Sequence, residues 1–123
     1  MRNALQDKVT VITGASSGMG AAMARRFSGA GSKIVLSARR VDRIEALRDE
    51  IAEAGGSAVA VQADVADYAQ MEQLAATATD AFGHVDIMVN NAGFGKLGPF
   101  LENSLHDIDS QIDVNVKGVI YGC

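Results

Sequence analysis

Two glycine clusters in this sequence could each cradle a phosphate: TGASSGMG, Thr13 to Gly20, and GFGKLG, Gly93 to Gly98. The second is a literal G-x-G-x-x-G, whereas the first spaces its glycines G-x-x-x-G-x-G. A phosphate loop must leave a strand and open a helix, because the chain turns tightly there and helix N-terminal N–H groups point at the anion. TGASSGMG follows the β-branched run KVTVIT and leads directly into an Ala-rich helical stretch. Gly14 suits the sharp exit turn, Gly18 lets the backbone approach the phosphates, and Gly20 permits close packing of helix on sheet. Ser16 and Ser17 add hydroxyls that can donate to phosphate or cap the helix. The competing reading is a glycine-rich turn with capping serines and no ligand. GFGKLG is followed at once by Pro99, and the next helical stripe starts only near Ser104, so its glycines fall in an extended loop. Asp113, which would complete that fingerprint, falls inside a helix instead of at a strand end. There is no Walker-type G-x-x-x-x-G-K-[ST].

The end of the second strand then bears on which dinucleotide fits. An NAD site places a carboxylate there for the ribose 2′-hydroxyl. Here the stretch is Ser37-Ala38-Arg39-Arg40, and the nearest acid, Asp42, is already in the following helix. A guanidinium forks onto a 2′-phosphate that a carboxylate would repel. NADP(H) is therefore the preferred expectation, with NAD(H) as the alternative. Arg39 and Arg40 could instead solvate a loop or pair with Asp42 and Glu45.

The elements that must position these residues follow from apolar patterning. Strands are predicted at Lys8 to Thr13, Lys33 to Leu36, Ala58 to Gln62 and Asp86 to Asn90. Between them, Met19 to Ala30 carries Met19, Met23 and Phe27 four apart. Val41, Ile44, Leu47 and Ile51 mark a second helix ending at Gly55-Gly56, and Asp67 to Phe82 a third with Met71, Leu74 and Ala78 on one side. Leu105, Ile108, Ile112 and Val116 give a last stripe. This β-α-β-α-β-α-β-α order predicts an α/β fold, a doubly wound parallel sheet covered on both faces, which is why its strands lack polar alternation. Crossovers should be right-handed.

The chain of 123 residues has room for one domain at most. A net charge of −4 disfavours a nucleic-acid partner, which would need a basic face. MRNALQDK is too polar for a signal peptide, and no apolar run approaches the ~18 residues that span a bilayer. The single cysteine, Cys123, excludes an internal disulfide framework and a thiolate metal cage, so no metal is expected. His84 and His106 read as surface or capping residues. These features together point to the cytoplasm.

The residues now on the page resemble the short-chain dehydrogenase/reductase family. The resemblance rests on Thr13-Gly14-x-x-x-Gly18-x-Gly20, Asp64-Val65 after strand three, Asn90-Asn91-Ala92-Gly93 after strand four, and Asn115 within Val114-Asn115-Val116-Lys117-Gly118. It covers the whole chain and implies a Rossmann-type, three-layer αβα fold of seven strands. Residues 1–123 would be the N-terminal part of that single dinucleotide-binding domain, with strand order 3-2-1-4 and the later strands missing. By the same resemblance Asp64 would bond the adenine amino group, Val65 would line that ring, and Asn91, Ala92 and Gly93 would floor the adenosine ribose. Met19 would offer its backbone N–H to the pyrophosphate, and Arg39 matches the position associated with NADP. Asn115 would hold a water in the proton relay. Read without the resemblance, Asp64 is equally a turn or capping residue and Asn115 a helix-packing amide.

The family's activity, hydride transfer between a nicotinamide and a carbonyl or alcohol carbon, also needs a Ser and a Tyr-x-x-x-Lys. A Lys four residues after the Tyr shares its helix face and stabilises the phenolate. Only Gly122 and Cys123 follow Tyr121, so the remaining catalytic residues would lie beyond Cys123 and the chain alone should be inactive. An apolar fourth strand left as a sheet edge would invite pairing or aggregation, so a protein truly ending at Cys123 is expected to associate. The complete protein would be a homodimer or homotetramer. Phe94, Leu97 and Phe100 suggest an apolar wall for an uncharged substrate, or simply loop anchors. The rival functions are a non-catalytic dinucleotide-binding module and a structural or interaction subunit without ligand.

Overall fold

The computed structural model describes residues 4–16, 18–94 and 103–123; Ser17, Leu97 and Phe100, and most of GFGKLG, lie outside the described residues. Four strands, β1 (Val9–Ile12), β2 (Lys33–Ala38), β3 (Ala58–Gln62) and β4 (Ile87–Val89), form one parallel sheet in the order β3-β2-β1-β4. Its register sets Val11 beside both Val35 and Met88, and Leu36 beside Ala60. β1 is buried along its whole length and β2 from Ile34 to Ala38, as sheet strands must be when helices cover both faces. The hydroxyls of Thr10 and Ser32 are buried at no polar cost, because they bond each other at 2.8 Å and Ser32 Oγ donates to Lys8 O at 2.7 Å.

Helices α1 (Gly18–Gly29) and α2 (Val41–Glu53) cover one face, packing Ala21, Ala24, Ile44, Leu47 and Ile51 against Ile12, Ile34 and Leu36. Helix α3 (Tyr68–Phe82) covers the other, with Met71, Leu74 and Ala78 against Val9, Val11 and Val35. The result is the expected three-layer arrangement. Each aliphatic side chain fully removed from water contributes roughly 1.5–3 kcal/mol. That is ample to orient α2 by Ile44, Leu47 and Ile51, since its Arg25–Glu50 pair with α1 is exposed and screened by water. Asp67 caps α3 by accepting from Gln70 N at 3.3 Å, and Gly83 ends it in the left-handed region at φ 89°.

Two helical faces differ from their sequence patterns. On α1 the buried stripe is Gly20, Ala21 and Ala24, with Met23 and Phe27 at its margin and Met19 72% exposed. Small residues win because they let the helix axis lie close to the sheet. On the last helix, Leu105, Ile112, Val116 and Ile120 are exposed, whereas Val114 and Gly118 are buried. The cause is local geometry: α4 (Leu105–Ile112) and α5 (Gly118–Gly122) are joined by a π-helical segment, Asp113–Lys117. The wider i→i+5 turn rotates the inward face. Gly118 is required there, since a Cβ would stand 2.6 Å from Val65 Cγ2.

At the end of the strands opposite the glycine loop, Asp86 immediately precedes β4. Its Oδ2 accepts from Val9 N at 2.8 Å while Asp86 N donates to Val9 O at 2.9 Å, and His84 Nε2 lies 2.8 Å from the same oxygen. The Val9 hydrogen bond, against the opposing effect of burial and with help from His84 and Lys8, holds the Asp86 carboxyl below its usual range. A carboxyl whose folded pKa lies below the unfolded value of about 3.9 stabilises the fold above that pH and loses the contribution as pH falls through the folded value. Urea unfolding of the wild type is therefore expected to show a midpoint that drops between pH 5 and pH 3, with a shallower drop in Asp86→Asn; parallel drops would remove this role for Asp86.

Candidate functional site

The loop after β1 is built by its glycines and by one threonine. Gly14 sits at φ 63°, and a Cβ on it would stand 2.8 Å from Ala92 Cα. Gly20 is the packing glycine expected, because a Cβ there would stand 2.4 Å from Gly14 O. Gly18 opens α1 at φ 60°, and its Cβ would meet nothing within 4 Å, so the left-handed backbone and not crowding demands glycine there. Thr13 Oγ1, on a residue 1% exposed, accepts from Asn91 N and Ala92 N, both at 3.1 Å. Asn91 Nδ2 donates to Gly14 O at 3.1 Å, and Ala15 N to Ser37 O at 3.0 Å. The exit loops of β1 and β4 are thus sewn together at the carboxyl ends of the strands.

A cleft of about 690 Å³ opens directly above this seam. Gly14, Ser16 and Met19 line it from the glycine loop, Arg39 and Arg40 from the end of β2, Val65 after β3, and Asn91, Ala92, Gly93 and Phe94 after β4. These nine of the sequence-derived candidates, with Phe94, converge on one space. The chain runs β1 to β3 in one direction and then returns to β4 on the other side of β1, so the cleft lies at the topological switch point. Both guanidinium groups are exposed, and among the described residues neither has an ion-pair partner; the alternative pairing with Asp42 and Glu45 is not formed. Gln62 Nε2 donates to Arg39 O at 3.0 Å and pins the backbone from which Arg39 projects.

Other candidates stand back from the cleft wall. Gly18 and Gly20 shape the loop and α1. Asp64 accepts from Ala66 N at 3.0 Å through Oδ1, and its own N–H donates to Gln70 Oε1 at 2.8 Å, so it organises the turn into α3. Asn115 lies in the π segment, where its Oδ1 accepts from Phe94 N at 2.8 Å and its Nδ2 donates to Phe94 O. It clamps the cleft's β4 loop from behind. Ser17 lies outside the described residues.

Three residues that matter here were given no role in the site by the sequence reading. Thr13 is the hydrogen-bond hub of the seam, and its signal was a polar residue ending an otherwise apolar strand. Gly118 admits Val65. His106, read as a surface residue, lines the cleft together with Ser110 and Val114, to which it is related by four-residue steps. Among the described residues no group of three or more His, Cys, Asp or Glu could hold a metal, and no helix is long and apolar enough to cross a membrane.

A parallel sheet of order 3-2-1-4 with helices on both faces, and a glycine loop opening α1 at the switch point, defines a Rossmann-type protein. The chain belongs to the short chain dehydrogenase family, whose profile matches residues 8–123. It is 44% identical over 115 residues to the oxidoreductase UcpA of Salmonella typhimurium, a match covering 94% of this chain and 43% of that protein. A short chain dehydrogenase/reductase from Burkholderia phymatum, solved in complex with NAD, superposes with a TM-score of 0.94 at 38% identity, covering 99% of this chain and 43% of that one. The 3-ketoacyl-(acyl-carrier-protein) reductase of Brucella melitensis, complexed with NADH, superposes with a TM-score of 0.90 at 39% identity, covering 97% and 48%. The chain therefore spans a little under half the length of the first curated relatives it matches and corresponds to part of the family fold.

Thr13→Val keeps the shape of the hub and removes its acceptor. Asn91 N keeps its bond to Val89 O at 3.0 Å, so Ala92 N alone is left without its partner, at an expected cost of about 1–3 kcal/mol. Denaturant unfolding measures it, and a loss under about 0.5 kcal/mol would mean that the seam is not held by Thr13.

Proposed function

We propose that this chain is the cofactor-binding part of an oxidoreductase that passes hydride between a nicotinamide cofactor and a carbonyl or alcohol carbon of a small molecule, with NADP(H) preferred. The observation that carries this reading is the cleft at the switch point, with the N-terminus of α1 on its wall and two guanidinium groups that have no ion-pair partner among the described residues. The residues fit such a ligand. Gly14 leaves no side chain between the loop and the β4 exit, and α1 is long enough, at 12 residues, to present a helix N-terminus to a pyrophosphate. Bound there, the cofactor supplies the hydride acceptor or donor.

This chain's residues bind and orient. Ser16, Ser17 and the backbone at Gly18 and Met19 would meet the pyrophosphate, and Asn91, Ala92 and Gly93 would floor the adenosine ribose. Val65 would line the base, and Asp64, whose Oδ1 holds the turn by accepting from Ala66 N, would bond the adenine amino group through Oδ2. Arg39 and Arg40 would take a 2′-phosphate, since no carboxylate occupies the end of β2 and Asp42 already lies in the first turn of α2. Asn115 positions the loop at Phe94, next to where the reacting carbon would enter. The Ser and Tyr-x-x-x-Lys that transfer the proton are assigned to residues beyond Cys123. We assign the complete protein to the cytoplasm as a homodimer or homotetramer; the exposed apolar residues Leu105, Ile112, Val116 and Ile120 support association.

A charge-assisted hydrogen bond is worth about 1.5–3 kcal/mol. Arg39→Ala in the intact protein is therefore expected to weaken NADPH binding about ten- to hundredfold and to leave NADH within about twofold, measured by fluorescence titration. Wild-type affinity for NADH equal to or tighter than that for NADPH would overturn the NADP preference.

A further inference from the structure

We infer that α4 supplies the outer wall of the nucleotide cleft, with the His106 imidazole stacking on the purine and the Ser110 hydroxyl bonding its polar edge. This rests on the dinucleotide reading above and assigns the base to side chains that the family resemblance did not indicate.

The geometry begins at Val114, which is 9% exposed and packs in one cluster with Val65. Ser110 and His106 lie one and two helical turns before it, so the three residues form a single stripe of α4 and its continuation. All three line the same cleft as the glycine loop and Arg39. The stripe grades from apolar and buried at Val114, through half-buried Ser110, to exposed His106 at the rim. Val65 and Val114 therefore floor a slot that Ala38, Arg39 and Arg40 bound on the β2 side and Ser110 and His106 bound on the α4 side.

A purine needs flat or apolar surfaces for its faces and a hydrogen-bonding group at its edge. Asp64, the residue expected to meet the adenine amino group, has Oδ2 for that contact while its Oδ1 accepts from Ala66 N at 3.0 Å, which leaves the ring faces and the rest of the edge to other side chains. Asp107 does line it, but its Oδ2 accepts from Ser104 N at 3.1 Å in the capping box that starts α4. On the α4 wall, the Ser110 hydroxyl and the His106 ring stand 3.5 Å apart, at the outer limit of a hydrogen bond, and both can turn toward a ligand. An aromatic ring accepts any base on its π face, whereas an aliphatic rim would give up that contact.

The test is binding of 5′-AMP to the intact protein by calorimetry, with nicotinamide mononucleotide as the control for the other half of the cofactor. His106→Ala is expected to weaken 5′-AMP about five- to fiftyfold, in line with the loss of one base–aromatic stack, and to leave nicotinamide mononucleotide unchanged. His106→Phe, which keeps a flat ring, should bind 5′-AMP within about twofold of wild type. Unchanged 5′-AMP affinity in His106→Ala would overturn the inference while leaving the cofactor reading intact, and a loss in His106→Phe equal to that in His106→Ala would overturn stacking. A wild-type protein that binds neither 5′-AMP nor any dinucleotide would overturn the cofactor reading itself. An unchanged melting temperature, expected for an exposed rim residue, verifies that each variant is folded.

Discussion

The cleft exists because two loops from sequence-distant strands share one threonine hydroxyl. Thr13 Oγ1 takes the N–H groups of Asn91 and Ala92, and Asn91 returns a hydrogen bond to Gly14 O. Nearly 80 residues separate the partners, yet the glycine loop cannot hold its shape without the β4 exit, nor the β4 exit without the loop. Side chains at Gly14 and Gly20 are excluded by this seam, since their Cβ atoms would stand 2.8 Å from Ala92 Cα and 2.4 Å from Gly14 O. The glycine spacing is thus a packing requirement of the seam.

A second constraint acts from the opposite side of the cleft. Asn115 grips both backbone groups of Phe94, and the π-helical segment around it turns Val114 and Gly118 inward. Gly118 then lets α5 approach Val65, which brings the end of β3 and the last helix together beneath the slot. A regular α-helix would have presented the Ile108, Ile112 and Val116 stripe to the core. The irregular turn spends that apolar face on solvent, and it is what carries Asn115 to the loop. Irregular helical turns of this kind are frequent where a fold must aim side chains.

The family profile and the superposed structures describe the same framework, and they bound what part of it this chain holds. Its length is a little under half that of the first curated relatives, and among the described residues β4 is an edge of the sheet. The cleft is assembled from the loops that follow β1, β2, β3 and β4 and from α4.

The sequence by itself determined the element order, the parallel sheet and the position of the phosphate loop. Those follow from short-range patterning: β-branched runs bounded by turns, helical spacing at Ile44-Leu47-Ile51 and Met71-Leu74-Ala78, and glycines at a strand–helix junction. It also located most of the cleft lining, because motif residues at strand ends must face the same edge of a parallel sheet. Tertiary structure alone decided which helical faces turn inward on α1 and on the last helix, since close approach and a π turn override simple periodicity. It alone made Thr13 a hub and, among the described residues, left Arg39 and Arg40 without acidic partners. It alone placed His106 on the cleft wall. Each of these depends on contacts between residues far apart in the chain, and no local pattern of residue types encodes such a contact.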